Sequence, residues 1–238
     1  ESPILPIDAR LGDTVMALAV SPNGKFIAAG TNAFGNSVFL LDDAGKVLWS
    51  GKVGPILVDR IAVADDGTVI AASLADGSVQ VFAPDGKPGK RFDIPPIYPN
   101  NGNNTCYDPF AFAAGNVILN QRDRLEAFKL DGTKAWEYKT PATAWTLAES
   151  SGGTALTVGC WDDAVIVRLD PATGKETARA PGVVADSLWV APDSAYTVAC
   201  GKGELTVLEA KLQPIYRGKS RQVKAITNGK VILAASAQ

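Results

Sequence analysis

The chain has 238 residues, 46% of them apolar, with a formal net charge of -2, three cysteines and no histidine. Charges of both signs run along its whole length, which leaves no basic stripe for a nucleic acid or an anionic membrane. Without histidine the usual zinc sites and every His-dependent triad are removed, and no apolar run reaches the ~18 residues of a membrane span.

Taken in order, the chain reads as strands and turns with no helical period. Ile4–Leu11 (ILPIDARL) has the length and apolar character of a single strand. Val15–Gly30 reads VMALAVSPNGKFIAAG, an alternating strand, a short polar turn and a second strand rich in small and β-branched residues. A second hairpin follows at Ser37–Trp49 (SVFLLDDAGKVLW). The same plan returns at Val58–Ser73 (VDRIAVADDGTVIAAS) with Ser78–Lys87 (SVQVFAPDGK). Ile94–Asp108 is crowded with Pro, Asn and Gly and breaks the period as a long loop; Asn103-Asn104-Thr105 within it fits the glycosylation acceptor pattern. Beyond it come Asp108–Asn120 with Leu125–Trp136 (LEAFKLDGTKAW), Ala144–Gly159 with Val165–Ala178 (VIVRLDPATGKETA), then Asp186–Ala199 (DSLWVAPDSAYTVA) and Val223–Ala235.

Four antiparallel strands repeated at about 40 residues make the pattern of a propeller blade. The expected fold is all-β: a single β-propeller domain over residues 1–238, with about six four-stranded blades. Five units fill residues 13–220, and residues 221–238 supply two strands of another. Ile4–Leu11 is expected to pair with the blade of Val223–Ala235 and close the ring, since a free sheet edge invites aggregation.

Within these repeats, AVSPNGKFIAAGT (Ala19–Thr31) resembles the opening of WD-type repeats. LLDDAGKVLW (Leu40–Trp49) and RLDPATGKETA (Arg168–Ala178) resemble the quinoprotein (PQQ-type) propeller repeat, in which a Trp follows an Asp-turn-Gly-Lys hairpin. Trp49 and Trp136 occupy that Trp position, whereas the fourth unit has Thr177 or Ala178 there. The resemblance implies a propeller. Its quinone-dependent members use adjacent cysteines over the cofactor, and this chain has none adjacent.

Alignment of the inner strands puts Asp59, Asp108 and Asp186 in one column, with Met16, Ala144 and a residue close to Val223 in the other units. Arg60, Trp145 and Lys224 fall one position further along. These six residues, Asp59, Arg60, Asp108, Trp145, Asp186 and Lys224, are expected at one mouth of the central channel. Their acids serve either as turn residues that accept backbone N–H groups or as oxygen ligands for a hard cation, a polyhydroxylated ligand or an amine. Loops between second and third strands are expected on the same face and bring Arg122, Asp123, Arg124, Trp161, Asp162 and Lys202. Cys160 and Cys200 hold matching positions in successive units, too far apart for a bridge and expected as buried free thiols. Trp49, Trp136 and Trp189 are expected to pack between blades.

No phosphate-binding glycine loop, Gly-x-Ser-x-Gly elbow or paired-glutamate set occurs in a supporting setting. The expected function is therefore a non-enzymatic module that engages a protein partner or a subunit of an assembly through its loop face. No cofactor is assigned. Glu1 in first place fits a processed secretory protein and a trimmed chain equally; the compartment expected is periplasmic or extracellular. Two alternatives stand beside this reading: a lyase-type or small-ligand site at the channel mouth, and a piece of a longer quinoprotein.

Overall fold

The computed structural model of the protein describes residues 11, 14–31, 37–53, 58–72, 77–94, 110–219, 222–227 and 231–235. Among them the chain is all-β, and a single 3-10 turn at Ser151–Gly153 is the only helical element. Every sheet is antiparallel and has its strands in chain order, a meander that alternating runs joined by tight turns produce directly. The strands group into two compact units, Glu1–Pro96 and Ile97–Gln238.

In the first unit, β1 (Val15–Val20), β2 (Phe26–Thr31), β3 (Ser37–Asp42) and β4 (Val47–Lys52) form one sheet, and β5 (Arg60–Val63), β6 (Val69–Ala72), β7 (Ser78–Phe82) and β8 (Pro88–Asp93) the next. In the second unit the third sheet is β9 (Phe110–Ala113), β10 (Asn116–Asn120), β11 (Arg124–Lys129) and β12 (Lys134–Lys139). The fourth is β13 (Ala144–Glu149), β14 (Leu156–Cys160), β15 (Val165–Leu169) and β16 (Glu176–Pro181). The fifth is β17 (Ser187–Val190), β18 (Tyr196–Gly201), β19 (Glu204–Glu209) and β20 (Pro214–Lys219). The last pair, β21 (Gln222–Thr227) and β22 (Val231–Ala235), stands as a two-stranded sheet among the described residues. Among the described residues there are thus five four-stranded sheets and one of two strands, where six of four strands are expected. The expected closing strand Ile4–Leu11 lies, but for Leu11, outside the described residues, as do Cys106 and residues 95–108 of the long loop.

Middle strands are buried on both faces, which is why β7, β10, β14 and β15 read as nearly continuous apolar runs rather than as alternating ones. Within each unit, successive four-stranded sheets stack face to face. Ala28, Val38 and Leu40 of the first sheet meet Ile61, Val63 and Val69 of the second. Ile118, Leu125 and Ala127 of the third meet Leu147, Val158 and Val167 of the fourth, and Ile166 and Ala180 of the fourth meet Leu188, Ala199 and Leu208 of the fifth.

The Trp that follows the outer hairpin clasps neighbouring sheets together. Trp49 on β4 donates its indole N–H to the carbonyl of Pro84 (2.9 Å), in the β7–β8 turn, and lies against Phe82. Trp136 on β12 does the same to Pro171 (2.9 Å) in the β15–β16 turn. Each ring is roofed by the glycine of the turn it reaches: a Cβ on Gly86 or Gly174 would come within 2.8 or 2.6 Å of it.

The fourth sheet lacks this Trp, and register explains how it manages. Leu40 pairs with Trp49 and Ala127 with Trp136, while Arg168 pairs with Ala178. The large side chain has changed strands. Arg168 is 5% exposed, and its guanidinium donates to the carbonyl of Ala210 (2.5 Å) in the β19–β20 turn, to that of Ser194 (3.1 Å) and to Thr197 Oγ1 (2.7 Å). Burial holds its pKa below the usual arginine value. A second-residue carbonyl of the next outer turn is thus capped in all three cases, twice by indole and once by guanidinium.

Candidate functional site

At one end of the second unit the loops between second and third strands meet the beginning of the following sheet. The Arg122 backbone sits in the left-handed region (φ 72) in the β10–β11 loop. Its carbonyl accepts from the Ala144 N–H (2.7 Å) and from Thr140 Oγ1 (3.1 Å), and its N–H donates to Asn120 Oδ1 (2.9 Å). Asn120, 1% exposed, also donates to the Ala144 carbonyl (3.0 Å), so the start of β13 is held by two bonds to one loop.

Trp145 comes next and is a bulge: Ala144 faces Cys160 and Thr146 faces Gly159, leaving Trp145 unopposed. A bulge re-aims its side chain, and this one places the indole on Trp161 of the β14–β15 turn, stacked with centroids 5.4 Å apart. Thr143 Oγ1 donates to Asp162 Oδ2 (2.6 Å), and the Trp161 N–H donates to the Thr143 carbonyl (3.0 Å), which fixes the turn against the strand. From the fifth sheet the Lys202 ammonium sits 5.3 Å from the centre of the Trp161 ring. Asp186 Oδ2 accepts from the Lys202 backbone N–H (3.3 Å). Trp145 and Asp186 of the expected channel mouth and Trp161, Asp162 and Lys202 of the loops expected on the same face therefore belong to one cluster.

Asp59 is half-buried just before β5 in the first unit, where its carbonyl accepts from Arg60 Nη1 (2.8 Å). Asp108 lies outside the described residues. Lys224 is the bulge residue of β21, as Trp145 is of β13 and Met16 of β1. Met16 therefore corresponds to Trp145 rather than to Ala144, one residue from the expected column. Arg124 forms ion pairs with exposed Asp123 (2.9 Å) and with buried Glu126 (3.4 Å). Among the described residues no group of acidic or cysteine side chains is arranged to hold a metal ion.

Cys160 and Cys200 are buried thiols. Burial pushes the Cys160 thiol up to about 11, the reverse of what a reactive thiolate needs. Sequence reasoning passed over Asn120 and Thr143; an Asn ending an otherwise apolar strand was the one visible signal for the first.

No protein-family model matches the chain, and no curated protein matches it significantly. Among the described residues no helix is long and apolar enough to cross a membrane.

Proposed function

We propose that the chain is a single six-bladed β-propeller of the quinoprotein-like or WD-like repeat type, acting outside the cytoplasm as a non-enzymatic module that engages a protein partner through the Trp145–Trp161 face. The single observation that carries the functional part is the cluster itself. Two stacked indoles and a cation, positioned by a bulge and by tied loops, give the mixed aromatic and charged surface on which interface hot spots form.

Repeat equivalence supports the ring. Ile61 and Val63 on β5 are buried against the preceding sheet (8% and 1% exposed), and Leu188 and Val190 on β17 are buried too (7% and 8%). Their counterparts on β1, Leu18 and Val20, are 66% and 58% exposed. In the proposed ring, a preceding sheet with β21–β22 as its inner hairpin would cover this face of β1.

Purified protein should show no turnover of quinone-linked alcohols or aldehydes and no bound redox chromophore in its absorption spectrum. Turnover, or a tightly held cofactor, overturns the non-enzymatic reading.

A further inference from the structure

We infer that Trp161, stacked on Trp145, is a platform for a lysine or arginine side chain of a polypeptide partner, and that Lys202 occupies this platform in cis until the partner displaces it. The inference rests on the proposed reading of this face and gives that partner a charge.

The first observation is that the platform already holds an ammonium. Lys202 Nζ lies 5.3 Å from the Trp161 centroid, and the second indole stacks on the same ring at 5.4 Å. Among the described residues Lys202 forms no ion pair. A ring face attracts a cation through its quadrupole, most strongly for Trp.

The second observation is conformational. Lys202-Gly203 is a two-residue hairpin turn with φ of 50 and 78, the positions where Asn-Gly is preferred. The tight turn fixes the backbone from which the Lys202 ammonium reaches the ring.

The third is the sign of the surroundings. Asp162 and Asp163 follow Trp161 in its exposed turn, and Asp186 is bonded to the Lys202 backbone. An incoming carboxylate would meet these acids, whereas an incoming cation gains them once Lys202 swings away.

The test titrates the tripeptide Lys-Lys-Lys into the full chain at low salt, read by tryptophan fluorescence and calorimetry, with Glu-Glu-Glu as the opposite-charge probe. Wild type should bind the basic peptide. Lys202→Ala should bind it about two- to fivefold more tightly, the factor that corresponds to an exposed cation–π contact no longer competing. Trp161→Ala should lose the binding, and Trp161→Phe, which keeps a ring and guards against a folding defect, should retain part of it. Unchanged or weaker binding by Lys202→Ala overturns the proposal, as does wild-type affinity in Trp161→Ala. If Glu-Glu-Glu binds and Lys202→Ala abolishes that binding, the cis occupant is itself the recognition group: this proposal falls while the face remains a peptide-binding surface. Binding of neither peptide also overturns it, and the absorption and turnover measurements then decide the broader reading separately.

Discussion

At the scale of single residues, the glycines under the tryptophans separate two costs that usually travel together. Gly174 has φ 71 and its missing Cβ is where the Trp136 ring lies, whereas Gly115 has φ 74 and open space around it. Gly115→Ala should cost about 1 kcal/mol for its backbone alone, and Gly174→Ala about 2–4 kcal/mol because the indole must also move. Urea unfolding of both variants measures the difference, and equal losses would show that the ring is not held there. Cys160 gives a pH test. Its thiol titrates near 9 when unfolded and at about 11 in the fold, so between these values the unfolded chain holds fewer protons and stability falls as pH rises. This group contributes a slope of up to about 1.4 kcal/mol per pH unit in that window. Cys160→Ala should remove that part of the slope, and thiol reagents at pH 8 should label Cys160 only on unfolding.

At the scale of elements, the first, third and fourth sheets solve the same problem with the residues they have. The carbonyl of an outer turn needs a donor from the sheet before it, and Trp49, Trp136 and Arg168 supply one. Arg168→Ala strips a buried donor from Ala210, Ser194 and Thr197 together, at about 3 kcal/mol. The pairing of Arg168 with Ala178 in the same register as Ala127 with Trp136 suggests the repair. Adding Ala178→Trp to Arg168→Ala should recover about half of the loss, seen as a higher denaturation midpoint than the single variant. A double variant no more stable than Arg168→Ala would show that the two clasps are not interchangeable. In the fifth sheet Tyr216 holds the Trp position, pairing with Val207, and is 58% exposed.

At the scale of the whole molecule, the proposed ring makes demands on β1. Leu18→Glu places a charge on a strand face that a closed ring covers, and should lower the thermal midpoint by several degrees; a charge that stays in water would change it little. Removing residues 1–11, which include the proposed closing strand, should likewise lower the midpoint by several degrees and promote association through a freed edge, followed by size-exclusion chromatography. A monomeric truncated chain with an unchanged midpoint would show that these residues do not close the ring.

What the sequence determined by itself is everything local. Alternation, Asp-Gly turns and the repeat period were enough to locate the hairpins, because a two-residue strand period and a tight turn act over a few neighbouring residues. The position of Trp136 beyond its hairpin was legible for the same reason, and so were the buried thiols of Cys160 and Cys200. Only the tertiary structure decided the contacts between sheets. That Arg168 stands in for a tryptophan depends on which of two paired strands carries the large side chain, and that pairing joins residues no local pattern links. That Trp145 turns onto Trp161 depends on a bulge, which shifts a side chain by one position without a signature in the residues around it. Lys202 reaches Trp161 from another sheet, so its place in the cluster follows from how the two sheets stack and from nothing in the turn that carries it.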